Sequence, residues 1–209
     1  FCAGMDLSAF SNGVDDIPDD KKPDHARVGE AVYRTAKELQ GYISKLEEIR
    51  VPVIAAVHGG VIGGALDLIT ACDMRFASND AFFCIQEINI GMAADVGTLQ
   101  RLPKIIPDSK MREMAYTGRR MLADEAKDSG LVGEIYQTQD EMLEAVHKLA
   151  AEIASKSPVA IYGLKAVMNY SRDHNVSDSL DFNALWSGAM LSQADMTEAM
   201  TAQMEKRDA

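Results

Sequence analysis

The feature that most constrains this chain is the stretch from Pro52 to Asp67. There Pro52 is followed by the wholly apolar run Val53-Ile54-Ala55-Ala56-Val57, and then by His58-Gly59-Gly60-Val61-Ile62-Gly63-Gly64-Ala65-Leu66-Asp67. A strand apolar on both faces is what a parallel sheet covered by helices requires. Ahead of it, Val28, Val32, Ala36, Leu39, Ile43, Leu46 and Ile49 recur every three or four residues. That spacing predicts one apolar stripe on a helix of about six turns, at ~3.6 residues each. Pro52, which has no N–H to donate, stops the helix. Gly59-Gly60 then breaks the strand, and a helix is expected to begin at Gly63-Gly64 and to run from Ala65 to Cys72. Residues 51–66 hold no Asp, Glu, Lys or Arg, and the pairs Gly59/Gly63 and Gly60/Gly64 imitate the close-packing pattern of membrane helices. The stretch is too short to span a bilayer and is interrupted by Pro52 and His58, so no membrane span is expected.

Further along, Met74–Ala77 and Ala81–Ile88 read as short strands, with Glu87 ending the second. A loop around Gly91 leads to a helix over Val96–Leu102, closed by Pro103. From Asp108 onward helices are predicted near 109–117, 123–129, 139–155, 157–170, 177–193 and 195–207, with Asp108 and Ser177 suited to N-caps. Residues 11–26, polar and carrying two prolines and a glycine, read as a loop. The expected organisation is an α/β core over residues 1–135 and a helical region over 136–209 that covers the core or mediates assembly. Leu143, Val146, Leu149, Ile153, Leu185, Met190 and Leu191 offer more apolar surface than a lid needs, so part of it is expected between subunits.

A chain of 209 residues is long enough to bury one substantial core. Its 21 Lys plus Arg face 32 Asp plus Glu, a net charge of −11 that repels polyanions. Nucleic acid and anionic membranes are therefore not expected as partners, while a small anionic ligand would need a local basic group. Cys2, Cys72 and Cys84 form an odd set without metal-ligand spacing, which points to a reducing, intracellular compartment and to no metal site. The sequence opens on Phe1 with no leader, so the natural start is expected upstream.

Two constellations carry chemistry. Glycines at a strand-to-helix junction let backbone N–H groups approach a ligand, and the helix start adds the positive end of its dipole. Such a site suits a phosphate or the oxygen of a thioester becoming an enolate; tight packing of helix on sheet would need the same glycines. The second constellation is acidic: Asp67, Glu87 and Asp95, each among apolar neighbours. Carboxyls in apolar surroundings hold their protons to higher pH and can exchange them near neutrality. The competing readings are an N-cap for Asp95, a paired structural carboxylate for Glu87 and a turn hydrogen bond for Asp67. His58, at a strand end, reads as a core histidine, and Cys2 has no recognisable base partner.

The segment Phe1-Cys2-Ala3-Gly4-Met5-Asp6-Leu7 resembles the oxyanion loop of the crotonase superfamily, of the form F-x-A-G-x-D-L/I. The run from Pro52 to Leu68, with Ala71-Cys72-Asp73-Met74-Arg75, is similar to that family's central signature, with Ala65 where a third glycine is usual. The match continues in order through Glu87, Gly91, Leu102-Pro103, Ala123–Ala126 and Gly130-Leu131-Val132. Typical hydratases of the family carry Glu at the positions of Asp67 and Glu87. The dienoyl-CoA isomerase branch carries Asp then Glu, with a further Asp in an A-A-D-V-G-T-L-Q-R-L-P run, which residues 93–103 match letter for letter.

The resemblance implies a spiral of stacked β-β-α turns, incomplete at its N-terminal end, and a helical C-terminal region packing in a homotrimer or a homohexamer. It implies an acyl-CoA thioester substrate in fatty-acid β-oxidation, no separate cofactor, and a mitochondrial or peroxisomal setting. Met5 and Gly64 would supply the N–H groups of an oxyanion hole. Ala3, Gly4, Asp6, Gly60 and Gly63 would line the substrate site, and Lys165 would lie near the coenzyme A phosphates unless it is a solvated helix lysine. Glu87 would be the base at C2 and Asp95 the acid at C6, with Asp67 tuning the pair. The alternatives are an enoyl-CoA hydratase and, outside enzymes, an RNA-binding protein of the same fold.

Overall fold

The computed structural model describes residues 1–6 and 24–207. Leu7 and most of the loop expected over 11–26 lie outside the described residues. The first helix among the described residues, α1 (His25–Glu48), is capped by Asp24, whose carboxylate accepts from the Arg27 N–H at 3.1 Å, so it begins within the span read as loop. Its apolar stripe is only partly used: Leu39, Ile43 and Leu46 are half-buried, whereas Val28 and Val32 are exposed.

The chain then alternates between two small sheets. Strand β1 (Ile54–Val57) enters the first sheet, β2 (Gly60–Ile62) the second, and α2 (Gly64–Thr70) follows. The next turn repeats this with β3 (Met74–Ser78) and β4 (Phe82–Cys84). A 3-10 turn (Glu87–Ile90), the short α3 (Thr98–Arg101), a second 3-10 turn (Leu102–Lys104) and α4 (Asp108–Thr117) come next. Then β5 (Arg120–Leu122), α5 (Ala123–Asp128) and β6 (Glu134–Tyr136) close the sheets. The first sheet is parallel, ordered β1-β3-β6, with Ala56 opposite Phe76 and Phe76 opposite Glu134. The second is ordered β2-β4-β5, with β2 parallel and β5 antiparallel to β4. Successive turns that each lay one strand in each sheet are the spiral expected from the sequence.

The boundaries differ from the predicted ones in physical detail. The strand predicted over Ala81–Ile88 ends at Cys84, and Glu87 opens a 3-10 turn instead. Strands β2, β5 and β6 were not anticipated; each is three residues long, too short to carry a periodicity. Pro107 and Asn175, not Asp108 and Ser177, stand at the N-caps, and the Asn175 side chain accepts from the Asp178 N–H at 2.9 Å.

Between the sheets and helices, Val57, Val61, Leu66, Ile69, Phe83, Leu102, Met114, Met121 and Leu131 lose all contact with solvent. Burying each such side chain contributes about 1.5–3 kcal/mol. The helical half divides by destination. Helix α6 (Gln139–Ala154) buries Met142 and Val146 and packs on β1, β3 and β6. Helices α7 (Pro158–Asp173) and α8 (Val176–Met190) pack on each other through Tyr170 on Phe182 (4.3 Å between ring centres) and Tyr162 against Trp186 (4.9 Å). Leu180 and Leu185 of α8, Leu191 just after it, and Met200 and Met204 of α9 (Gln193–Glu205) remain exposed. Among the described residues no helix is long and apolar enough to cross a membrane.

Lys165 is neither solvated nor free to meet a phosphate. It is 3% exposed, and its Nζ donates to Leu46 O (2.8 Å), Val51 O (3.0 Å) and Asp73 Oδ2 (2.8 Å). All three donors are spent pinning α7 to the end of α1 and the start of β1. Asp73 Oδ2 also accepts the Val53 N–H at 2.7 Å. Replacing Lys165 by Met is expected to lower stability by about 3 kcal/mol, because it leaves the Asp73 carboxylate and two backbone carbonyls without their shared donor. Adding Asp73→Asn should recover part of the loss, and urea unfolding of the single and double variants measures both.

Candidate active site

The site grows from the edge of β2. The Cys2 N–H donates to Gly60 O at 3.0 Å and the Ile62 N–H donates to Cys2 O at 3.2 Å, so the first residues run parallel to β2. This carries Ala3, Gly4 and Met5 to where β2 ends and α2 begins. Gly4 has φ +91°, and a Cβ there would sit 2.9 Å from Ile62 O, so only glycine permits the approach. Gly63 has φ +56°, and a Cβ there would press on Glu87 Oε1 at 3.1 Å. Gly64 is the first residue of α2, where an N–H has no partner within the helix; nothing lies within 4 Å of where its Cβ would be.

The three carboxyls reach this junction from separate elements. Asp67, one turn into α2, is 1% exposed. Its Oδ1 accepts the Thr98 N–H at 2.5 Å, while Oδ2 is buried without a hydrogen-bond partner among the described residues. Glu87 opens the 3-10 turn, which Gly91 closes in the left-handed region. Asp95 sits in the loop before α3, beside buried Ala94, and is itself exposed. It does not cap α3: Gly97 is the N-cap residue, and it is Asp67 that takes the first helical N–H.

Burial raises the affinity of Asp67 for its proton, partly opposed by the Thr98 hydrogen bonds, and the nearby Asp95 charge adds to the rise. Glu87 is likewise raised, first by burial and then by repulsion from Asp67 and Asp95, against the pull of its own backbone N–H. Like charges so close resist joint ionisation.

A cavity of about 330 Å³ collects these groups. Ala3, Gly4, Met5, Gly63, Gly64, Asp67, Glu87 and Asp95 all line it. Gly60 and Asp6 do not: Gly60 lies within β2 against the Phe82 ring, and Asp6 is exposed. Lys165 is committed elsewhere. Sequence reasoning missed Ile62, Gln86, Ile90, Met92, Val96 and Arg120, which complete the wall. Arg120 is held with its guanidinium 4.2 Å above the Phe82 ring and brings positive charge to an otherwise acidic pocket. Only the pairing of β5 with β4 puts it there, opposite Cys84.

The enoyl-CoA hydratase/isomerase family profile matches residues 1–209. The chain belongs to this family. Within the enoyl-CoA hydratase/isomerase family it is similar to the mitochondrial Δ(3,5)-Δ(2,4)-dienoyl-CoA isomerase of Rattus norvegicus, 46% identical over the whole of this chain and 63% of that protein. The peroxisomal protein of the same name from Arabidopsis thaliana is 44% identical over 99% of this chain and 74% of its own length. Among solved structures, an enoyl-CoA hydratase from Bacillus anthracis superposes with a TM-score of 0.85 at 29% identity, over 100% of this chain and 75% of that one. The chain thus spans about 63% of the length of the rat relative.

The electrostatics make a stability prediction with a definite sign. Glu87 binds its proton more tightly folded than unfolded, so above the ordinary value of 4.5 its ionisation costs the native state, and below that value the cost vanishes. Glu87→Gln should therefore raise the melting temperature near neutral pH. The gain should shrink towards zero as pH falls through the ordinary Glu range, a trend that thermal scans across pH will reveal.

Proposed function

We propose that the protein is a Δ3,5-Δ2,4-dienoyl-CoA isomerase acting on fatty acyl-CoA thioesters in β-oxidation. The observation that carries this reading is the meeting of Asp67, Glu87 and Asp95 with Met5 and Gly64 around one cavity. The dienoyl-CoA isomerases at 46% and 44% identity support it, and with them a mitochondrial or peroxisomal setting.

Converting a 3,5-diene to a 2,4-diene removes a proton from C2 and adds one at C6. Glu87, made more basic by burial, takes the C2 proton, and charge spreads from the thioester oxygen along the extended dienolate. The Met5 and Gly64 N–H groups hold that oxygen, donors that are worth most where water is excluded. Asp95 delivers the proton to C6, and once the product leaves, exchange with solvent carries the proton taken up by Glu87 away and returns one to the exposed Asp95, so both groups are reset. Two separated carboxyls suit two carbons four bonds apart. Asp67, with one oxygen on the Thr98 N–H, anchors the start of α3 next to the Asp95 loop and raises the Glu87 proton affinity. Ile90, Met92 and Val96 give the acyl chain an apolar wall. A hydratase instead needs two carboxylates gripping one water, which an almost fully buried Asp67 serves poorly.

The exposed Leu180, Leu185, Leu191, Met200 and Met204 support assembly into a homotrimer, or a hexamer built from two.

In deuterated water Asp95→Asn should lose isomerisation while still exchanging label into C2 of the 3,5-dienoyl-CoA, and Glu87→Gln should lose both. Mass spectrometry of the recovered thioester separates these outcomes. Isomerisation by Asp95→Asn at the parent rate would overturn the assignment. Gly64→Pro removes one oxyanion donor at a helix position that accepts proline. Its turnover should fall roughly a hundred- to a thousandfold with the fold intact, as paired steady-state kinetics and circular dichroism will test.

A further inference from the structure

The loop that brings Asp95 to the cavity has little backbone order of its own. Between Ile90 and Thr98 it forms no helix or strand, and residues 93–96 make no backbone–backbone hydrogen bond among the described residues. Side chains from three places hold it instead. Gln40 Nε2, from α1, donates to Asp95 O at 2.7 Å. Arg101 Nη1 donates to Val96 O, a long contact at 3.5 Å. Asp67 Oδ1 accepts from the Thr98 N–H at 2.5 Å. A carbonyl oxygen can only accept, so the amide nitrogen of Gln40 must be the end that faces Asp95.

The surroundings keep this grip in place. Arg101 reaches Glu47 Oε2 through Nη2 (2.7 Å) and Nε (3.1 Å), and Ser44 Oγ through Nη2 (2.9 Å). A Cβ at Gly97 would lie 1.9 Å from Arg101 Nη1, so the absence of a side chain there admits the guanidinium. Arg172 of α7 bonds the other Glu47 oxygen. Burial pushes the Glu47 carboxyl up, yet the hydrogen bonds from Arg101 and Arg172 outweigh it and hold it below the ordinary carboxylate range. Gln40, Ser44 and Glu47, spaced four and three residues apart, form one polar row along α1. Glu47, Ser44 and Arg101 lock the helix to α3, and Gln40, one turn further along the same row, meets the backbone of Asp95 itself.

We propose that Gln40 is a positioning residue for Asp95: helix α1, fixed by the Glu47–Arg101 pair, uses the Gln40 amide to set where a loop without backbone hydrogen bonds of its own places the Asp95 carboxyl. This rests on the isomerase reading for its effect on rate, though not for its effect on the loop.

The test uses the full-length protein. Gln40→Leu keeps the size of the side chain and removes the donor. Displacing a reacting group by about an ångström costs on the order of a hundredfold, so 3,5-dienoyl-CoA turnover should fall roughly ten- to a hundredfold. KM should stay within about twofold, because Gln40 does not line the cavity. Label exchange into C2, which depends on Glu87, should stay near the parent value. A loss of general packing would instead lower exchange and isomerisation together, and that result would overturn the proposal. Independently of any reaction, hydrogen exchange followed by mass spectrometry should find the Thr98 amide, which closes this loop on Asp67, exchanging faster in Gln40→Leu, with β1, β3 and β6 unchanged. Unaltered protection of that loop would overturn the proposal even with slowed turnover. If the parent protein fails to isomerise dienoyl-CoA, the isomerase reading falls, and the amide exchange alone decides for or against Gln40.

Discussion

Gly63 donates its N–H to Cys84 O at 3.0 Å and accepts the Leu66 N–H at 2.7 Å, so a single residue ties β2, β4 and α2 together. With φ +56°, it is the single residue between the end of the strand and the start of the helix. Every group at the cavity depends on that corner. It leaves Gly64 at a helix start, sets Asp67 one turn inside and leaves only enough room beside it for the Glu87 carboxyl. Without the Cys2 segment alongside β2 the corner would lack the second wall that Met5 supplies.

The acidic groups illustrate a general tension between stability and chemistry. Burying Asp67 with one oxygen unpartnered, and Glu87 near two further carboxyls, costs the native state free energy that a neutral core would not. The fold tolerates it because the surrounding core is large and dry: Leu66, Ile69 and Phe83 are sealed from solvent, and Thr98, buried as well, supplies Asp67 with a hydrogen bond. On the proposed reading, what the arrangement gains is a carboxylate made more basic by burial beside backbone N–H donors. Arg120, resting on Phe82, moderates the field of three carboxyls within a chain of net charge −11.

Partly buried ion pairs serve a different purpose in this molecule. Lys165 with Asp73, and Arg101 with Glu47, connect elements far apart in sequence. Each satisfies backbone or hydroxyl groups as well as a charge, so their geometry is restrictive in a way that apolar contacts are not. The first fixes α7 to the core; the second fixes α1 to the segment that follows Asp95. Among the described residues the outer faces of α8 and α9 carry no such locks and leave their leucines and methionines exposed.

Periodicity, strand composition and glycine placement determined much of this protein in one dimension. The apolar stripe predicted α1, the Val53–Val57 run predicted a covered parallel strand, and Gly63-Gly64 marked a strand-to-helix junction; each reflects a preference that neighbouring residues enforce locally. The order of motifs was enough to indicate the family and the spiral. What only the tertiary structure decided was convergence. Asp67, Glu87 and Asp95 share a cavity because β2 and β4 are paired and because Asp67 caps a helix from outside its own sequence neighbourhood. Strands of three residues acquire their identity from partners, since so few side chains carry no alternation of their own. Lys165, Gln40 and Arg120 look like surface residues in the sequence, and their roles follow from which distant carbonyl, carboxylate or ring comes to face them. A chain's pattern states which side of an element is apolar; it does not state what will cover that side, because long-range packing energies belong to pairs of elements rather than to either one alone.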